Sequence, residues 1–179
     1  IVDLVLAQEY ALLNHDVIIS EIAKIYKKMC GGKIIESIHT MHNYIDLTEY
    51  NPMVRKGAIS SYTDELMIIP FNMRDGIAVC EGKSNPDWNN TAPHGAGRIM
   101  SRAKAKQTLN VEEYQKQLQI NGVYSTTANI STLDEAPDAY KPMNEIIELI
   151  EPTTSIKYFM KPKMNIKSGI NDNEIYGNY

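Results

Sequence analysis

Two cysteines, Cys30 and Cys80, are all that the 179 residues contain, and their separation leaves no Cys-x-x-Cys pair for a metal. Two thiols make no disulfide framework, so reduced cysteines in a cytoplasmic protein are expected. No apolar run approaches the ~18 residues that a membrane span requires, so no membrane partner is expected. Residues 1–7 are apolar, but Asp3 interrupts them and no basic stretch precedes them, so they do not read as a signal peptide. An excess of positive charge is missing too. The 18 Lys and Arg against 22 Asp and Glu give a net charge of −4 and a pI near 5.6. That balance lacks the global electrostatic footprint of a nucleic-acid binder, so any nucleic-acid contact must rest on a local patch or on sequence outside these residues. Repeats and low-complexity tracts are also absent. What remains is 43% hydrophobic, which over this length reads as one domain or a large piece of one. The chain opens on Ile1 directly in helical periodicity, as a piece cut from a longer protein would.

Val2, Leu6, Leu13, Val17, Ile22 and Ile25 recur at helical spacing. They predict an amphipathic helix to Met29, with a break near Asn14-His15-Asp16, ended by Gly31-Gly32. β-Branched runs at Lys33–His39, Leu66–Ile69 and Gly76–Cys80 predict strands, and Val54–Ser60 a weaker one. Gly82–Pro93 reads as an irregular loop, Arg98–Thr108 and Val111–Gln119 as helices, and Thr132–Glu135 as a turn. Met143–Ile150 reads as a short helix between prolines, and Ile156–Ile166 as a closing strand pair interrupted at Pro162. The expected class is α+β, with mixed sheets and flanking helices. It forms a domain over 1–167 and a loose tail over 168–179.

Three clusters carry chemistry. The first is Asn85-Pro86-Asp87-Trp88-Asn89-Asn90-Thr91-Ala92-Pro93-His94-Gly95-Ala96-Gly97-Arg98. It is a loop ending in a histidine, then Gly-x-Gly, then an expected helix. Small residues let backbone approach a ligand, and a helix N-terminus offers N–H groups to a phosphate. Arg98 and Arg102, one turn apart, would add paired positive charge. A histidine there fits a nucleophile toward phosphorus, but Gly-x-Gly alone is common, and by themselves the same residues fit a structural turn with a capped helix better. The second cluster is His39-Thr40-Met41-His42-Asn43-Tyr44. On a strand His39 and His42 would point to opposite faces, which allows one metal ligand more readily than two. The third is the turn Ile68-Ile69-Pro70-Phe71-Asn72-Met73-Arg74-Asp75-Gly76, whose backbone could line a base or ribose.

Taken in order, these segments resemble the motifs of the RtcB RNA ligase family. The matching residues are His42-Asn43-Tyr44, Arg55-Lys56-Gly57-Ala58, Ile68-Ile69-Pro70, and His94-Gly95-Ala96-Gly97-Arg98 with Ser101-Arg102. Asp134-Glu135-Ala136-Pro137, Ala139-Tyr140-Lys141 and Lys167 continue the match. The resemblance implies the C-terminal part of an enzyme that joins an RNA 3′-phosphate or 2′,3′-cyclic phosphate to a 5′-hydroxyl, using GTP and Mn(II). It implies that His94 becomes guanylylated, that His42 is a manganese ligand and that Asn43 contacts the nucleotide. Pro70, Phe71, Asn72 and Met73 would line the nucleotide pocket, and Gly95, Ala96 and Gly97 the guanylate phosphate. Tyr140 would meet the guanine and Lys167 the base edge. Imidazole is a competent phosphoryl nucleophile, and Mn(II) accepts imidazole and carboxylate ligands.

The chain departs from the pattern in places. Pro70-Phe71-Asn72-Met73 replaces the more usual Pro-Gly-Ser-Met, Asp64 replaces a usual Gly, and Ile77 stands where some members place a polar residue. The family's Asp-x-x-Cys motif and its two further histidine segments are not in these residues, and neither cysteine here substitutes for them. The alternative is therefore a non-catalytic nucleotide- or RNA-binding fragment whose partner half lies in the same or another chain. A metal-dependent phosphoesterase acting on RNA ends without GTP is a third reading. His15 reads as a solvated helix-face histidine, and His39 as structural or as holding the ligand segment from behind. The Arg98, Arg102, Lys104, Lys106 run fits either a solvated face or an RNA phosphate contact.

Overall fold

The central element is a hairpin whose two strands differ in what covers them. In a computed structural model that describes residues 2–47 and 52–166, β4 (Leu66–Asn72) alternates, burying Met67, Ile69 and Phe71. β5 (Gly76–Gly82) is buried on both faces, because it lies between β4 and β8 (Thr154–Met160) in an antiparallel three-stranded sheet ordered β4-β5-β8. Asn72 closes the hairpin turn, its side-chain oxygen accepting from the backbone N–H of Arg74 and Asp75 at 2.9 Å each. Helix α4 (Met143–Ile150) presents Ile146 and Ile150, four apart, to Ile59, Met67, Ile69, Phe71 and Cys80 to form one core. A second core joins Met73 at the end of β4 to Tyr114 and Leu118 of α3 (Val111–Ile120), with Val123, Leu133 and Ala136.

The remaining strands form two-stranded sheets: β1 (Tyr44–Asp46) with β2 (Met53–Arg55), and β3 (Ala58–Ser60) with β6 (Thr91–Pro93). β7 (Tyr124–Ser125) pairs in parallel with β9 (Met164–Asn165). With helices α1 (Val2–Cys30) and α2 (Arg102–Thr108), the class is α+β. No helix among the described residues is long and apolar enough to cross a membrane.

Five local expectations change. α1 is unbroken through Asn14-His15-Asp16, since exposed polar residues leave the backbone ladder intact and no Gly or Pro interrupts it. Lys33–His39 forms no strand. Ile34 and Ile35 are 68% and 90% exposed, and where no strand edge among the described residues takes its N–H and C=O groups a β-branched run gains nothing by extending. Gly82–Pro93 is more ordered than a loop, holding a 3₁₀ helix at Pro86–Trp88 and then β6. Arg98 is not helical, because α2 starts at Arg102 behind the Ser101 cap, whose side chain accepts from the Lys104 N–H. Finally, β8 and β9 do not pair with each other, each being claimed by a different sheet. The tail 168–179 and Lys167 lie outside the described residues.

Candidate functional site

β4 is an edge strand, which is why Pro70 can occupy it. Its open edge gathers two distant segments. The Ile68 N–H donates to Thr40 Oγ1 at 3.0 Å, and the Ala96 N–H donates to the Pro70 carbonyl at 3.0 Å. The histidine segments on either side of these contacts meet as a result. The rings of His42 and His94 stack with centroids 5.0 Å apart and planes within 5°.

The turn between β2 and β3 completes the corner. Asn43 sits at φ 57°, and its Oδ1 accepts from the Gly57 N–H at 3.0 Å. A Cβ placed on Gly57 would stand 3.8 Å from the His94 ring. The turn is fixed from below by Arg55, 2% exposed, whose guanidinium donates to Asp46 at 2.8 Å, to Tyr62 and to Thr91. One cation thus ties β1, β2 and β6 together and holds Lys56 beside His94. Desolvation pushes the His94 imidazole below its ordinary pKa, and repulsion from His42 and Lys56 adds to the shift. Both effects favour the neutral ring, in which one nitrogen carries a lone pair.

Gly95–Gly97 follows His94 through a bend, with Gly97 at a positive φ of 73°, and opens no helix. Ala96 spends its N–H on Pro70. The Gly97 carbonyl accepts from Lys141 at 3.1 Å, and Arg98 forms an antiparallel bridge with Tyr140. The helix N-terminus expected here as an anion site is not formed. Gly95 eases the contact with Pro70, since a Cβ on it would lie 3.1 Å from the Pro70 carbonyl oxygen, closer than ordinary van der Waals packing.

Beyond His94 opens a cavity of about 730 Å³, lined among others by Pro70, Asn72, Gly97, Arg98, Tyr140 and Asn165. Arg98 lies over the Tyr140 ring, 4.8 Å from its centroid, and donates to the Tyr140 hydroxyl at 2.9 Å. That hydroxyl donates to Glu135 at 2.6 Å. Burial, then the Glu135 hydrogen bond and charge, push Tyr140 up to about 12, so it stays a neutral donor. Arg102 pairs with Asp134 and Glu135 at 2.7 Å each, and Lys106 approaches Asp134 at 3.4 Å. Arg98, Arg102 and Lys106 thus meet carboxylates of this chain, while the Arg102 and Lys106 side chains stay 68% and 47% exposed, so a solvated face with internal partners fits this run.

His42, Asn43, Pro70, His94, Gly95, Ala96, Gly97 and Tyr140 therefore gather around one corner and its adjoining cavity. Phe71, Asn72 and Met73 reach it less freely. The Phe71 ring belongs to the core and packs near Phe159. Asn72 closes the hairpin turn, and Met73 takes the Tyr114 hydroxyl on its sulfur at 3.0 Å. Lys56, Glu135 and Asn165 were not singled out as site residues. The first two lie within quoted motifs, and Asn165, whose amide donates to the Met73 carbonyl, gave no local signal. For manganese the donor set is short. Among the described residues no group of three His, Cys, Asp or Glu side chains is placed to hold a metal, so His42 would be one contributor and not a site.

A sequence model described as tRNA-splicing ligase RtcB matches residues 1–168. The chain belongs to the RtcB family. It is 26% identical over 172 residues to the RNA-splicing ligase RtcB of Escherichia coli K12, covering 90% of this chain and 41% of that protein. It is also 35% identical over 86 residues to the tRNA-splicing ligase RtcB of Aeropyrum pernix, covering 46% of this chain and 18% of that one. The match to the tRNA-splicing ligase RtcB of Archaeoglobus fulgidus is 25% over 170 residues, covering 79% and 35%. The chain thus spans about two fifths or less of these relatives.

Proposed function

We propose that this RtcB chain is the nucleotide-handling part of a GTP-dependent RNA ligase and that His94 is its nucleophile. The observation that carries this reading is His94, stacked on His42 and lining the mouth of a cavity of about 730 Å³, with family membership over residues 1–168. A neutral imidazole nitrogen attacks the α-phosphorus of GTP. The N–P bond forms as the bond to the β-phosphate bridge breaks, pyrophosphate leaves, and GMP stays on His94 as a phosphoramidate. The backbone at Pro70 and Gly95–Gly97 lies along the path of the nucleotide. Arg98 covers one face of Tyr140, which leaves the other face for guanine, and Lys167 would meet the base edge. The activated enzyme joins a 3′-phosphate or 2′,3′-cyclic phosphate RNA end to a 5′-hydroxyl end, in the cytoplasm.

Mn(II) would neutralise charge on the phosphates. On this reading its remaining ligands come from the family's Asp-x-x-Cys and histidine segments, with His42 contributing from here. The short donor set favours one second reading, a nucleotide- or RNA-binding fragment that is inert alone. Labelling the full-length protein with GTP radiolabelled at the α-phosphate, in the presence of Mn(II), separates the two. The expected result is an acid-labile adduct that His94→Ala abolishes. An adduct that persists in His94→Ala overturns the assignment of the nucleophile.

A further inference from the structure

A second pair of imidazoles meets away from His94. His15, in the middle of α1, points Nδ1 at Nε2 of His39 across 3.3 Å, with ring centroids 5.4 Å apart. A carboxylate oxygen of Asp16 lies 4.0 Å from the other ring nitrogen of His39. The pair borders a cavity of about 380 Å³ between α1 and the segment leading into β1.

We propose that His15 and His39 form a two-imidazole site for a borderline divalent cation, Zn(II) in preference to Mn(II), which staples α1 to the segment preceding His42. Two nitrogens bound to tetrahedral zinc at ~2.0–2.1 Å stand about 3.3–3.4 Å apart, which is the spacing these two already have. Asp16 beside Nδ1 of His39 favours the proton on that nitrogen and leaves the Nε2 lone pair facing His15, the usual role of a carboxylate behind a ligating histidine. His15 offers its Nδ1 lone pair by carrying its own proton on Nε2, so neutral rings suffice. An all-imidazole donor pair suits zinc better than manganese, which lies low in the affinity order and prefers oxygen.

The remaining coordination positions go to water, so the site is weaker than a closed four-ligand one. It nevertheless lies where the fold has little else. α1 has no buried residue, and beyond the His39 contacts Gln8 exchanges two hydrogen bonds with Ile45 of β1. This inference does not depend on His94 being a nucleophile.

The test uses the full chain carrying His42→Ala, so that zinc cannot be credited to the ligand expected of the family. Zn(II) alone is titrated while the histidine ring resonances are followed by NMR. The expected result is saturable binding that shifts the rings of His15 and His39 and slows amide exchange across residues 31–41. Asp16→Asn should weaken binding roughly 10- to 100-fold, and His15→Ala or His39→Ala should remove it. These side chains sit at the surface, so the variants should keep the far-UV spectrum of the parent. Zinc affinity unchanged by both histidine substitutions, or no binding at all, would mean that the two rings share only a hydrogen bond, and would overturn the proposal.

Discussion

Asp134 is 5% exposed and faces Arg102 and Lys106. Burial alone would raise its pKa, but the Arg102 hydrogen bond and the Lys106 charge outweigh it and hold the carboxyl below the usual 3.8. The folded state therefore binds the proton less tightly than the unfolded chain. The group's contribution to stability is complete above the unfolded carboxylate value of about 3.9 and is lost as pH falls through the depressed folded value. Asp134→Asn should lower the urea midpoint near neutrality and flatten its decline below about pH 4. A variant whose midpoint falls with acid as steeply as the parent's would contradict this. Both partners sit in segments the sequence singled out, but their pairing was illegible there. Arg102 and Asp134 are 32 residues apart in the chain, and a run of cations looks the same whether it faces water or a carboxylate.

Among the elements, the β4–β5 hairpin depends most on one residue. Gly76 has φ 86°, and a Cβ there would fall 2.2 Å from the Met160 carbonyl oxygen of β8. Gly76→Ala adds strain to collision and should cost at least ~1–3 kcal/mol. Gly97→Ala has a positive φ of 73° but open space around it, so it should cost less. Denaturant unfolding of the two variants checks the order, and equal losses would show that φ strain alone matters. Turn chemistry made this hairpin legible: two apolar runs flank Asn72–Gly76. The segment after His94 was misread because Gly-x-Gly before a helical pattern suits either a helix start or a bent, non-helical connection. The bridge between Arg98 and Tyr140 decides for the second.

At the scale of the whole molecule, α1 is a 29-residue helix without a buried side chain. Leu6, Leu13, Val17, Ile22 and Ile25 are between 54% and 64% exposed. An exposed apolar stripe of that length exceeds what monomers usually show. Expressed alone, the chain should self-associate with rising concentration in light scattering, and replacing Leu13, Val17 and Ile22 by Gln should reduce this. A monomer at all concentrations would contradict it. The sequence by itself determined the family, the helical span of α1, the paired strands at 66–80 and the motifs around His42 and His94, because these rest on local periodicity, turn residues and ordered motifs. Only the tertiary structure decided that His42 and His94 stack, that Phe71 turns into the core and that His15 meets His39. Those outcomes depend on which segments the open edge of β4 and the face of α1 bring together, and hydrogen bonds between residues 24 or more apart leave no periodic trace along the chain.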